Sequence, residues 1–534
     1  IYSGNHYEAL EKDSYGKFRF VAGINPRSFS WQLAPGEAFY TPEAVLNFSA
    51  DGFRGLSGQL HSFIREHIVR GVWKHKPRPV LLNSWEACYF KIDEKKLLQL
   101  AKAGKDAGIE LFVMDDGWFL GRNDDTSSLG DWEPDPKKLP GGIASLSKKI
   151  KALGMDFGLW VEPEMISENS NLYKEHPDWA MKIPGHPHSE GRNQCILDLC
   201  NPEVRKYVIE EMTRVFSSGD IRYAKWDMNR IFSDIYAPSL PAERQGETAH
   251  RYVLGLYQIM EELTTRFPMI LFEGCSAGGN RFDLGILCYF PQIWASDNTD
   301  ALCRTGIQNS YSYGYPLSVF TAHVSSCPNH QTLRITPLET RFQVASFGIL
   351  GYECNLKDLS GSDLNAIREQ IALYKKWRDV FQFGTFYRGT ENEDSDSETL
   401  SWTCVSPDGR RAVGLFFRRL TTPNQSHDWY RPVGLLPDVK YHFYGRNIKY
   451  NLKDFGDLVN TVSPVHIKQG SALQEILSRF VNMDGEKEDL TAYGDTLMLA
   501  GIALKPAFAG TGYNSDTRLF PDFSSRIYFM EAVE

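Results

Sequence analysis

The 534-residue sequence contains no apolar run approaching the roughly 18 residues that a membrane-spanning helix needs, which argues against such a span. It also lacks a Walker loop and a G-x-G-x-x-G fingerprint, and Gly278-Gly279 is too short a glycine run for a dinucleotide site. Cysteine is sparse. The nine residues are odd in number and form no C-x-x-C pair, so reduced thiols and a cytoplasmic protein are expected rather than a disulfide framework. The opening Ile1-Tyr2-Ser3-Gly4 does not read as a signal peptide. Positive charge is in deficit. A net charge of −9 argues against a phosphate-backbone partner, and neither nucleic acid nor a membrane is an expected partner. The acidic group Glu391, Glu393, Asp394, Asp396 and Glu398 reads as a solvated loop.

What is abundant is aromatic: 13% of residues, with 12 Trp and 25 Tyr. Large cores account for such a count, and so does sugar binding, because a flat ring matches the C–H face of a pyranose.

Three regions differ in texture. Residues 1–75 carry short apolar runs, Phe18–Gly23 and Phe29–Leu33, and one helix-like segment, Leu60–Ile68. A whole sandwich needs about seven strands, so this region is expected to be the C-terminal part of an N-terminal β-sandwich domain. Residues 76–385 alternate strand and helix. Strand candidates are Val80–Asn83, Leu111–Met114, Phe157–Trp160, Tyr223–Trp226, Met269–Phe272 and Ile293–Ala295. Helix-period segments at Lys95–Ala107, Ile143–Leu153, Pro202–Phe216 and His250–Phe267 lie between them. The pattern predicts parallel strands with crossover helices. Acids follow nearly every strand candidate, and a barrel gathers those ends on one rim, which favours a (β/α)₈ TIM barrel over an open sheet. From 386 to 534 the helical pattern stops, and alternating segments (Thr399–Cys404, Arg411–Phe417, Tyr441–Tyr444) predict a C-terminal antiparallel β-sandwich.

The strand ends carry, in order, Trp85 and Glu86; Asp115-Asp116; Trp160, Glu162 and Glu164; Asp227, Asn229 and Arg230, with Lys225 just before; Glu273 and Cys275; and Asp297 and Asp300. Carboxylates gathered at a rim are costly unless they are paired or bind something. Glycoside hydrolysis uses such a set: one carboxylate and one carboxylic acid flank the anomeric carbon. A hard-metal site would be expected to recruit His, which is absent from these six ends, so no metal and no cofactor are expected. Each residue has a plainer reading. Asp115-Asp116 could cap a helix, Trp85 and Trp160 could be rim core, and Arg192 could serve an ordinary ion pair. Cys275 could be a small buried hydrophobe, and His323 and His330 read as structural.

Six stretches resemble glycoside hydrolase family 36, the α-galactosidases of bacteria and fungi. They are Asn83-Ser-Trp-Glu-Ala-Cys-Tyr-Phe90, Asp115-Asp-Gly-Trp-Phe119, Gly158-Leu-Trp-Val-Glu-Pro-Glu-Met165, Lys225-Trp-Asp-Met-Asn-Arg230, Glu273-Gly-Cys-Ser-Ala-Gly-Gly-Asn-Arg-Phe-Asp283 and Ser296-Asp-Asn-Thr-Asp300. The resemblance implies a retaining α-galactosidase acting on terminal α-1,6-linked galactose of melibiose- and raffinose-type oligosaccharides. Asp227 would be the nucleophile and Asp297 the acid/base. Trp85, Asp115, Asp116, Trp160, Arg192, Lys225, Asn229, Cys275 and Gly278 would bind the sugar. Lys225, two residues before Asp227 and on the same side of its strand, would keep Asp227 ionised, and Trp294 would shield Asp297. The expected assembly is a homo-oligomer, up to a tetramer. Competing readings are an α-N-acetylgalactosaminidase of the same family and a non-catalytic carbohydrate-binding barrel.

Overall fold

The computed structural model describes residues 1–189, 191–389, 397–422, 427–478, 480–508, 513–514 and 516–533. Of the acidic loop read from sequence, Glu391, Glu393, Asp394 and Asp396 lie outside the described residues.

Two antiparallel strands open the chain, β1 (His6–Lys12) and β2 (Phe18–Ile24), in a hairpin pairing His6 with Ile24. Phe29–Leu33 does not form a strand, and the helix of this region runs Gly52–Phe63, then widens into a π-turn at Ile64–Ile68. The earlier start follows from the apolar periodicity reaching back to Leu56 and Phe53.

Eight parallel strands then close a barrel: β3 (Leu81–Asn83), β4 (Leu111–Met114), β5 (Asp156–Val161), β8 (Ile221–Trp226), β9 (Leu271–Gly274), β10 (Gln292–Trp294), β11 (Phe320–Val324) and β12 (Ile349–Tyr352), which returns to β3. A short antiparallel hairpin, β6 (Met165–Ile166) with β7 (Cys195–Ile196), leaves the C-terminal end of β5. The barrel strands are buried almost throughout, as expected where strands are covered on both faces. Leu81, Leu111, Val113, Tyr223 and Leu271 fill the interior above Trp73, whose indole N–H donates to Ile270 O at 3.2 Å.

Local chemistry starts and stops the crossover helices. Asp93 caps Glu94–Ala107 by accepting from Lys96 N at 2.8 Å, and Gly108, with φ of 99°, ends it. Asn201 caps Pro202–Ser217 by accepting from Glu203 N, with Pro202 pre-set for the first turn.

The helix Gly361–Phe383 and the C-terminal sheet belong to a second compact unit, made of residues 300–317, 327–347 and 360–534. Its six-stranded antiparallel sheet runs Thr385–Arg388, Thr399–Val405, Arg411–Arg418, Ser524–Ala532, Lys440–Gly445, Asp489–Tyr493. Helical structure does not stop at 386: Ala472–Leu477 and Gly494–Leu499 are short helices, each under two turns and so without a readable period. Among the described residues no helix is long and apolar enough to cross a membrane.

Candidate active site

The chemistry gathers at the C-terminal ends of the barrel strands. Asp227 leaves β8, anchored by its own N–H donating to Val161 O at 2.8 Å. Three N–H groups then donate to its carboxyl oxygens: Trp160 Nε1 at 3.0 Å, Asn229 Nδ2 at 2.7 Å and Met228 N at 2.8 Å. Two of these donors are side chains singled out from sequence, and together the three fix the orientation of the carboxyl. Trp160 is buried, so its ring is a rigid post for that bond.

Asp297, three residues past the end of β10, is exposed to solvent, yet protein atoms crowd its carboxyl enough to disfavour the charge. Burial and the negative charge of Asp227 raise its pKa, against the opposing effects of Lys225, Trp294 and Arg192. Trp294 therefore differs from the expected apolar shield. Its indole N–H donates to Asp297 Oδ1 at 2.9 Å, a bond that favours the charged form.

Lys225 has a nearer partner than the sequence suggests. Its ammonium pairs directly with Asp115 Oδ2 at 3.2 Å and lies 5.7 Å from the Trp294 ring centroid. Burial disfavours the ammonium, but Asp115 and then Cys275, Glu353 and Asp227 outweigh it, holding the pKa well above the ordinary value. Asp227 is thus a lesser neighbour of this cation. Asn83 Nδ2 completes the hold on Asp115 at 2.7 Å. Asp116 turns instead to Arg122, which donates from Nε and Nη2 at 3.0 and 2.8 Å; burial raises the Asp116 pKa despite that pair. Neither aspartate caps a helix, because the next one starts at Gly142.

Behind Asp227 sits Glu162, fully buried, which accepts from Asn229 N and from Gln194 Nε2 at 3.2 Å. Burial and the Asp227 charge push its pKa up to about 8. Glu164 is framework. It accepts two bonds from Arg281 at 2.8 and 2.9 Å, one from Trp226 Nε1 and one from the Tyr252 hydroxyl. Asp300 is a cap, accepting from Cys303 N at the start of Ala301–Tyr311. Glu86 and Glu273 are also held internally, by Thr299 Oγ1 and Gln292 Nε2 respectively.

The loop after β9 supplies a wall. Cys275 is buried, and desolvation, then the Asp227 charge, hold its thiol well above the usual pKa, so it is neutral. Gly278 has φ of 84°, and a Cβ there would stand 2.9 Å from Asp297 N and 3.0 Å from Ser296 Cα. Glycine is required on both counts. Trp85 is half-buried, edge-to-face with Tyr89 and Phe90 at 5.3 and 5.1 Å. Arg192 is exposed on the β6–β7 hairpin with φ of 53°, and its charge reaches Asp297.

Sequence reasoning missed β11 and β12, and with them Glu353 and the strand that places His323, a residue read from sequence as structural. His323 and Glu353 form a buried pair, Nδ1 to Oε2 at 2.8 Å, with the imidazole 4.4 Å from the Trp294 ring. His is therefore present at this rim after all. The pairs Arg122–Asp116 and Arg281–Glu164 were also missed. The available signal was physical: a buried acid needs a cation, and each arginine follows a strand end within a loop's reach. Among the described residues one group has the donor types for a metal, Glu168, His188 and Cys195, with ligand atoms within 4.8 Å of one another. It lies on the β6–β7 hairpin, apart from the carboxylates around Asp227.

Comparison with known proteins agrees with this geometry. The melibiase family model matches residues 38–384, and the glycosyl hydrolase family 36 N-terminal and C-terminal domain models match residues 1–34 and 399–530. Alpha-galactosidase AgaA of Geobacillus stearothermophilus is 46% identical over 448 residues, 84% of this chain and 61% of that protein. Alpha-galactosidase Mel36A of Lactobacillus acidophilus is 47% identical over 440 residues, 82% of this chain and 60% of its own length. The crystal structure of AgaA superposes with a TM-score of 0.85 at 41% identity, covering 99% of this chain and 66% of that one. The chain thus spans about three fifths of the length of the curated relatives it matches. Matched along its length by the family's three models, the chain belongs to glycosyl hydrolase family 36.

Proposed function

We propose that the protein is a retaining α-galactosidase that releases terminal α-1,6-linked galactose from melibiose- and raffinose-type oligosaccharides. The observation that carries this reading is the unequal treatment of two carboxyls at one rim. Asp227 is oriented by three N–H donors, whereas burial and its neighbour's charge raise the proton affinity of Asp297. That split is what double displacement requires. Asp227 Oδ attacks the anomeric carbon as the glycosidic C–O bond breaks, and Asp297 gives its proton to the departing oxygen. Asp297 then takes a proton from water, whose oxygen displaces Asp227 and restores the original configuration. Variants of one relative, AgaA of Geobacillus stearothermophilus, have been crystallised with raffinose and with stachyose, which supports the substrate class.

Asp115 and Asp116 would accept from the sugar's 4- and 6-hydroxyls. Trp85, Trp160, Arg192, Lys225 and Asn229 would line the same subsite, with Cys275 and Gly278 against the 2-position. A close Cys275–Gly278 wall would favour galactose over N-acetylgalactosamine, because an acetamido group would clash with it. No cofactor enters the scheme. We also place the enzyme in the cytoplasm as a homo-oligomer, with residues 1–75 completing an N-terminal β-sandwich.

The test is chemical rescue. Asp227→Ala with azide should yield β-galactosyl azide from an activated α-galactoside. Asp297→Ala should retain activity on good leaving groups and lose it on melibiose. A galactosyl azide of α configuration from Asp227→Ala, or near-normal melibiose turnover by either variant, would reject the scheme.

A further inference from the structure

The hairpin β6–β7 carries a second constellation. Cys195 is fixed on β7 by pairing with Ile166. Glu168 lies two residues past β6, and the loop between the strands brings back His188, whose ring stands edge-on to Tyr173 at 6.1 Å. His188 Nδ1 faces Glu168 Oε1 at 2.7 Å and Cys195 Sγ at 3.3 Å. One ring nitrogen cannot serve both neighbours. Protonated, Nδ1 suits the carboxylate and leaves the thiol proton without that acceptor; unprotonated, it suits the thiol and repels the carboxylate. The other nitrogen, Nε2, is buried without a hydrogen-bond partner, and the side chain is only 7% exposed. The imidazole is therefore held in a place that no tautomer satisfies.

We infer that Glu168, His188 and Cys195 form a binding site for a borderline-soft divalent cation of the zinc type. A cation between the three gives thiolate, imidazole nitrogen and carboxylate oxygen one common partner. That donor set and count match a tetrahedral ion with one open position. A hard cation such as calcium would want six or more oxygens, and only one of these ligands offers oxygen. Tetrahedral bonds of about 2.0–2.3 Å put donor atoms roughly 3.3–3.7 Å apart. The three donors, already within 4.8 Å, need only small shifts, and Glu168, with 61% of its side chain exposed, is free to swing. Binding forms an S–metal bond and releases the Cys195 Sγ proton to solvent. The ion joins the loop to both strands of the hairpin. That hairpin carries Arg192 and Gln194, which reach Asp297 by charge and Glu162 by hydrogen bond. The site is thus a latch on one wall of the active site.

The experiment is titration of the chelator-treated full chain with Zn²⁺ by calorimetry, with Co²⁺ as a spectroscopic probe. One zinc per chain is expected, weakened at least tenfold by His188→Ala and by Cys195→Ser. Cobalt should give thiolate-to-metal charge-transfer absorption that disappears in Cys195→Ser and survives in Cys275→Ser. Glu168→Gln, at a side chain 61% exposed, should weaken binding while shifting the melting curve of the zinc-free protein little. No saturable zinc binding, binding unaffected by all three substitutions, or a cobalt signal that follows Cys275 would each overturn the assignment.

Discussion

The two ends of the barrel both bristle with charge, yet they treat it oppositely. At the floor, Trp73, Lys76, Leu111, Lys151, Asp156, Arg222, Met269 and Leu271 line a cavity of about 200 Å³. The ion pairs there, Lys151 with Asp220 at 2.9 Å and with Asp156 at 3.8 Å and Arg222 with Asp220 at 2.9 Å, leave their side chains 37–52% exposed. At the rim the pairs Arg122–Asp116, Lys225–Asp115 and Arg281–Glu164 are no more than 12% exposed. Water already solvates the floor charges, so pairing changes little. The rim charges have left water, and each depends on its partner. A barrel can thus carry ion pairs at both ends and be sensitive to them at only one.

The sharpest break in that comparison is at the rim. Asp227→Ala and Asp297→Ala should each lower kcat on melibiose by roughly 10³-fold or more, measured by galactose release. Next comes Arg281→Met. It leaves Glu164, which is fully buried, without its cation, and removing one partner of such a pair costs about 3–5 kcal/mol. Urea unfolding followed by barrel tryptophan fluorescence should show a clearly lower midpoint.

Glu162 gives a gentler test, with a definite sign. Its acid form persists to about pH 8 in the folded protein, against an ordinary value of 4.5. The native state therefore holds a proton that the unfolded chain has lost. Stability should fall as pH rises from about 4.5 to about 8 and level off above. Glu162→Gln keeps acceptors for Asn229 and Gln194 in a neutral group and should flatten that slope, read as melting temperature against pH. The smallest effect belongs to the floor: Lys151→Ala should change stability by less than about 1 kcal/mol and leave turnover unaltered. A large loss there would dissolve the contrast between the two ends.

Much of this was legible before any coordinates. The helix Lys95–Ala107 announced itself through its period, and its observed start at Glu94 differs by one residue. Asp227 and Asp297 stood out as acids at strand ends. The seventh and eighth strands did not. Phe320–Val324 interleaves Thr321 and His323, and Ile349–Tyr352 is four residues long with a glycine inside, so neither shows an unbroken apolar run. Partner choice was equally hidden. Lys225 sits two residues from Asp227 in sequence but pairs with Asp115, because barrel closure brings β4 within reach of β8. Strand periodicity gives the side a residue faces, while depth and neighbours come only from the closed ring.

Gly278 carries a consequence for anyone wishing to alter this protein. A methyl group there would press on the backbone N–H of Asp297 and on Ser296. The proposed wall for the sugar's 2-position and the seat of the proposed proton donor are therefore one mechanical part. Reshaping the pocket for a different 2-substituent through this loop will also move the acid. Selectivity and protonation should be inherited together, and a variant that changes the first while sparing the second will have to be built from Cys275 or from outside the loop.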